Sequence, residues 1–242
     1  MKLVFAFFYL LSLAIFADSL GLQENASGVA YKFKTKKTQI ALTFDACGGK
    51  SGKFDERLFE VLNDQNVSAT IFVTSSWIDS NGAWFDKIAT NKNFEIQNHG
   101  TFHRPLSIDG KQMYGIVGTK NTDDIVDEIS INRSKIQSLT NQNPSFFRSG
   151  TATYEDEAVK IAKKLGVKIA GFSINADGGA TYDAEQIFQK LKNAKSGDIV
   201  IAHINQPKSQ NAKGFEKSIK YLKSKGFEFI KLSDIKNQLI EY

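Results

Sequence analysis

The sequence predicts an α/β fold, a distorted and incomplete (β/α) barrel of about seven parallel strands. Three observations lead there. Short apolar runs alternate with stretches of helical periodicity along most of the 242 residues. No stretch rich in Pro, Gly or Ser divides the chain, and no internal repeat or low-complexity block interrupts it. The three histidines, His99, His103 and His203, all fall at or just beyond the ends of apolar runs, where folds of this class gather their chemistry.

The elements follow in order. Lys2, an uncharged apolar run from Leu3 to Ala17 and the small residue that ends it have the layout of a secretory signal peptide. The run is short for a full membrane span, so residues 1–17 are expected to be removed. That leaves one catalytic-size domain over residues 18–242, exported to the periplasm or beyond the cell, with no stable membrane anchor. Thr38 to Ala46 reads as a buried strand and Phe54 to Asp64 as an amphipathic helix. Ala69 to Thr74 is a strand, Trp84 to Ala89 a short helix, and Phe94 to Asn98 a strand again. Asp123 to Leu139 has helical spacing, and Ser145 to Arg148 is a short strand. Glu155 to Leu165, Val167 to Ile174, Ala184 to Ala194, Asp198 to His203, Gly214 to Ser224 and Phe227 to Leu232 continue helix, strand, helix, strand. Such a series calls for parallel strands joined by helical crossovers.

Composition narrows the function. The net charge of +5 comes from scattered lysines, with no basic stripe interleaved with aromatics, which argues against nucleic-acid binding. An exported chain with the single cysteine Cys47 forms no internal disulfide, so its core alone must hold the fold. At the strand ends stand Asp45, His99 with His103 beyond it, Arg148, Asp177 and His203. One histidine at a rim is commonly just packed or solvated. All three there, beside two carboxylates and an arginine, point to a hydrolytic or metal site. At a spacing of four, His99 and His103 are expected to project from one face of a helical turn and reach one ion at about 2.0–2.1 Å. A third donor must then come from another strand end.

These residues carry a family resemblance. Thr43-Phe44-Asp45 resembles the first motif of the polysaccharide deacetylases of carbohydrate esterase family 4, the NodB-like domain. His99 and His103 resemble the second motif, Phe147-Arg148-Ser149-Gly150 the arginine motif, Gly171 to Ile174 with Asp177 the fourth, and Ile199 to His203 the last. The ordered set spans Gln39 to His203. The resemblance implies a distorted barrel and metal-dependent removal of acetyl groups from an N-acetylated glycan such as peptidoglycan. It implies Asp45 as catalytic base, His99 and His103 as ligands of a divalent metal, zinc being the expected ion, and Arg148 as the group that orients the base. His203 becomes the general acid and Asp177 its partner. The backbone N–H of Thr151, just after the arginine motif, is the candidate oxyanion donor.

The departures from the family pattern raise their own expectations. The sequence reads TFDAC where the family has TFDDG, and the family's second aspartate is a metal ligand; here Ala46 offers only a methyl group. Asp45 turning to the ion is favoured as the replacement on carboxylate charge, with Cys47 the other candidate. Asn175 stands where many members have an aspartate, which leaves the partner of His203 open by two positions. Trp77 is carried as a substrate contact, against the commoner role of a core tryptophan, and Tyr114 as a contact from a lid-like insertion. Two further readings stand beside the deacetylase: hydrolysis of a non-sugar amide or cyclic imide, and a carbohydrate-binding protein that lost catalysis with Ala46. Keeping both an acid and a base favours an enzyme.

Overall fold

The structure, a computed structural model, describes residues 21–48 and 52–242; the expected signal segment, residues 1–17, lies outside them. No helix among the described residues is long and apolar enough to cross a membrane.

The central strand is β2 (Gln39–Ala46), buried along all but its first residue. Its two faces do different work. Ile40, Leu42, Phe44 and Ala46 point into the outer core, where Phe44 meets Phe215 at 5.0 Å between ring centres. Ala41 lies in a separate apolar cluster with Phe72, Phe146 and Ile199. With a side-chain period of two, Thr43 and Asp45 follow Ala41 on that inner face. The inner face of β2 thus climbs from an apolar plug to a carboxylate.

Around β2 the sheet runs β12–β1–β8–β7–β4–β3–β2–β10–β9, with β11 beside the start of β2. The strands are β1 (Val29–Phe33), β3 (Ala69–Val73), β4 (Phe94–Asn98), β7 (Phe146–Phe147), β8 (Lys168–Ala170), β9 (Ile174–Asn175), β10 (Ile199–His203), β11 (Glu228–Ile230) and β12 (Leu239–Glu241). A separate hairpin joins β5 (Gln112–Met113) to β6 (Ile116–Val117). All pairings in the large sheet are parallel except β1 with β12. The expected strand 167–174 is divided: β8 pairs with β7, and β9 pairs with β10. Gly171 lies between them, and a side chain there would meet Val29 Cγ1 at 2.6 Å. That close approach to β1 bends the chain. The ring therefore closes through continuous backbone rather than through one ladder.

The helices are α1 (Glu56–Asp64), α2 (Ser75–Ser80), α3 (Gly82–Ala89), α4 (Thr122–Thr140), α5 (Asp156–Lys164), α6 (Ala184–Leu191) and α7 (Asn211–Ser224). Asp55, Thr74, Asn121 and Asp183 cap α1, α2, α4 and α6 with side-chain oxygens, each accepting an N–H that the helix leaves unpaired. Ile125, Ile129, Val159 and Ile169 seal α4 and α5 onto the sheet, and burying each such side chain contributes about 1.5–3 kcal/mol. Register then aligns the strand ends: His203 lies opposite Asp45, Val73 opposite Asn98, and Asn98 opposite Phe147. The parallel barrel predicted from sequence is present. β1, β12 and the short hairpin are additions to it.

Candidate active site

Asp45, at the inner end of β2, is buried, and its Oδ1 accepts from Arg148 Nη1 at 2.8 Å. Arg148 is fully buried and held rigidly: Nε donates to the Ala170 carbonyl at 3.2 Å, Nη2 to the Gly171 carbonyl at 3.1 Å, and the guanidinium lies 4.3 Å from the Phe72 ring centre. Burial is the largest influence and works against the charge on Asp45, but the Arg148 guanidinium, with His99 and His203 beside it, outweighs burial and holds the carboxyl below its ordinary range. Asp45 is therefore ionised at neutral pH.

The two histidines meet, but not on a helical turn. Residues 99–103 form an irregular loop in which Gly100 and His103 both take left-handed backbone, φ 92° and 60°. The expected helical projection is corrected here. The loop is shaped from below by Glu128 of α4, which is fully buried and accepts the N–H groups of Phe102 and Arg104 at 3.0 Å each. A side chain at residue 100 would stand 2.1 Å from Glu128 Oε1, so only glycine fits. Asn98 Oδ1 accepts from Gly100 N and from Asn132 Nδ2, at 2.9 and 2.8 Å. The imidazole rings end 5.0 Å apart, edge to face.

His99 Nδ1 lies 3.1 Å from the Arg148 carbonyl. A carbonyl only accepts, so Nδ1 carries the proton and Nε2 keeps its lone pair, the orientation seen in metal-binding histidines. Nε2 is 3.6 Å from Asp45 Oδ2. Burial lowers the pKa of His99, and burial together with the neighbouring His99 takes His103 down to about 3. Both rings are neutral and able to bind a cation. One ligand atom from each of Cys47, His99 and His103 lies within 4.8 Å of the others. With no cation present, burial and the Asp45 charge push the Cys47 thiol up to about 12.

Opposite stands His203 at the end of β10. Its Nδ1 lies 3.1 Å from Asp177 Oδ2, which also accepts the His203 N–H at 2.7 Å and Asn211 Nδ2 at 2.9 Å. The geometry answers the question of the partner: Asp177 holds His203, while Asn175 Oδ1 accepts from Gly178 N at 2.9 Å. Burial opposes the imidazolium, but the Asp177 hydrogen bond and charge prevail and raise the His203 pKa above its ordinary value.

Asp45, His103 and His203 line one cleft of about 420 Å³, with Thr151 and Tyr114 on its walls. Tyr114 sits at the tip of the β5–β6 hairpin and is 79% exposed. Thr151 Oγ1 is 2.6 Å from Thr153 Oγ1. Trp77 is not there. It is fully buried in the outer core, 6.0 Å from the Phe54 ring, with its indole N–H directed at the Lys53 carbonyl. The expected sugar contact at Trp77 is withdrawn: its position on α2 turns the ring toward α1 and away from the cleft. Sequence reasoning also missed Glu128 and Asn132. Their signal was present, since both fall in the stripe 125, 128, 129, 132, 136 that forms the buried face of α4. Polar residues in such a stripe need partners, and these hold the histidine loop.

A family model described as polysaccharide deacetylase matches residues 32–170. The peptidoglycan-N-acetylglucosamine deacetylase of Bacillus cereus is 24% identical over 211 residues, covering 86% of this chain and 92% of that protein. A family 4 carbohydrate esterase of Bacillus subtilis superposes with a TM-score of 0.71, at 22% identity, over 86% of this chain and 85% of its own. A family 4 pseudoenzyme from Bacillus anthracis gives 0.70 at 23% identity, over 85% of this chain and 67% of its own. At these identities the solved structures speak for the fold alone. The family match is broader in meaning: it spans more than half of the chain and takes in Asp45, both loop histidines and Arg148, and on that ground the chain belongs to the polysaccharide deacetylase family.

Proposed function

We propose that the protein is an exported, metal-dependent deacetylase that hydrolyses the acetamide of an N-acetylated extracytoplasmic glycan, with peptidoglycan the first substrate to test. The observation that carries this reading is the pairing of Asp45 with His203. They lie in register on adjacent strands and face one cleft, the first kept ionised by Arg148 and the second biased toward its protonated form by Asp177. A base and an acid so placed are what amide hydrolysis needs. The glycan is supported by the Bacillus cereus relative, and export by the apolar run from Leu3 to Ala17.

His99 and His103 present neutral imidazoles to one point, which suits a borderline ion such as zinc. Such an ion supplies Lewis-acid polarisation of the acetyl carbonyl and a lowered pKa for water. Asp45 takes a proton from the attacking water. Arg148 fixes the carboxylate in position and keeps it anionic. Thr151 borders the same cleft, and its backbone N–H is the donor for the charge that gathers on the carbonyl oxygen. His203, charged through Asp177, gives its proton to the departing amine.

The test is acetate release from a panel of N-acetylated glycans, peptidoglycan included, with and without chelator. Release that chelator abolishes and zinc restores is the expected result. The alternative of a binding protein without catalysis draws its support from Ala46, and it predicts glycan binding with no acetate under any metal.

A further inference from the structure

The family's usual carboxylate ligand is absent at residue 46, which leaves Asp45 and Cys47 as the neighbouring donors. Ala46 is fully buried and belongs to the outer core with Leu42, Phe44 and Trp77, so its side chain faces away from the histidines. Asp45 faces inward with Oδ1 committed to Arg148; its Oδ2 lies 3.6 Å from His99 Nε2, but Asp45 does not join both histidines in a group whose ligand atoms converge within 4.8 Å. Cys47 follows, one position past the end of β2, with its sulfur within 4.8 Å of a nitrogen of each histidine.

We propose that Cys47 completes a Cys-His-His metal centre with His99 and His103, in place of a carboxylate, and that Asp45 is thereby left free as the base. This rests on the metal-dependent reading above. Among the described residues these three form the one group of His, Cys, Asp and Glu side chains whose ligand atoms all converge within 4.8 Å, and Asp45 lies outside it. A tetrahedral ion with bonds of about 2.0–2.3 Å needs donors about 3.5 Å apart, so a small contraction completes the set. The site is more than an isolated thiol. His99 is 1% exposed, and because its Nδ1 donates to the Arg148 carbonyl its Nε2 keeps a lone pair for an ion. The sulfur is also held: Asn205 Nδ2 donates to the Cys47 carbonyl at 2.7 Å and lies 3.5 Å from Sγ.

The exchange conserves charge. A thiolate with two neutral imidazoles carries one negative charge, the same as a carboxylate with two imidazoles. On binding, the thiol proton leaves to solvent and the sulfur lone pair forms the bond to the ion. Selectivity changes with the donor, since a thiolate turns the site toward zinc and cobalt and away from magnesium and manganese.

Cobalt(II) titration of the metal-stripped protein tests this without any assay of activity. The expected spectrum contains a near-ultraviolet thiolate-to-cobalt charge-transfer band beside the visible ligand-field bands. Cys47→Ser should lose the former and weaken zinc binding by at least about a hundredfold, since even outer partners of a ligand are worth about 10–100-fold. Cys47→Asp should regain affinity with no charge-transfer band. Asp45→Asn should keep the band and the affinity while losing acetate release. If the parent shows ligand-field bands without charge transfer, sulfur is not a ligand and the proposal falls, while the metal-dependent reading stands. If the parent takes up neither cobalt nor zinc, both fall together. The parent spectrum alone decides, so a variant that fails to fold leaves the test intact.

Discussion

Asp45 and Asp177 stand on the same rim, each buried and each bound to a nitrogen base, yet the two partners differ in kind. Arg148 is always charged and is fully enclosed, whereas His203 titrates and its side chain keeps 22% of its surface open. A third carboxylate makes the contrast sharper. Glu128 is equally buried but accepts only backbone N–H groups through its side chain, and burial takes it up to about 7. The same side-chain chemistry is thus an anion in one place and close to half-protonated in another. What decides is the nearest cation, with burial setting the size of the stake.

Removing the permanent cation should do the most damage. Arg148→Ala leaves Asp45 buried without compensation, and a loss of about 3–5 kcal/mol in stability is expected from urea denaturation. A variant as stable as the parent would mean that solvent reaches Asp45 and that the two halves of the site are not different after all. His203→Ala comes next. Stability should change little, but acetate release should fall by about 10²–10⁴-fold with metal content unchanged; an undiminished rate removes His203 from the chemistry.

Glu128 gives the third test, in pH. Its pKa in the folded chain is about 7 against an ordinary 4.5, so between those values the unfolded chain gives up a proton that the folded chain retains. Stability from this group is full below pH 4.5 and is lost as pH rises through 7, a change of about 3 kcal/mol. Glu128→Gln should flatten that slope in denaturation curves taken across the window. An identical slope in the variant assigns it to another group. The smallest effect belongs to Asp177→Asn. Because His203 must be protonated to act, activity declines as pH rises through its raised pKa. Losing the Asp177 charge lowers that pKa, and the alkaline limb of the rate profile should move to lower pH. A limb that stays in place would show that some other group sets it.

The parallel barrel was legible because strands buried on both faces read as unbroken apolar runs, and their last polar residue marks the rim. QIALTFDA and IVIAH each announce both a strand and a site residue. β1 and β12 were not legible. The first, VAYKF, mixes polar and apolar residues, and the second is three residues long, so neither stands out without its partner. The histidine loop shows a different limit. HGTFH has helical spacing, but its left-handed turn is imposed from α4, some 25 residues later in the chain, by Glu128 and the tight fit at Gly100. Local sequence carries no record of such a contact. Trp77 misled for a similar reason: a tryptophan after a strand suits either a sugar or a core, and only the rotation of α2 chooses between them.

The way the ring closes also bears on how the molecule behaves among its own copies. Because the backbone from β8 to β9 carries the sheet across its seam, the strands left without a neighbour on one side are short. β9 has two residues and β12 three, and Glu241 on the latter is occupied by Lys163 at 2.7 Å. The β5–β6 hairpin offers two residues per strand. An unpaired ladder invites another chain to add a strand, and the invitation weakens with its length. Among the described residues the barrel therefore has little edge with which to seed a shared sheet between copies.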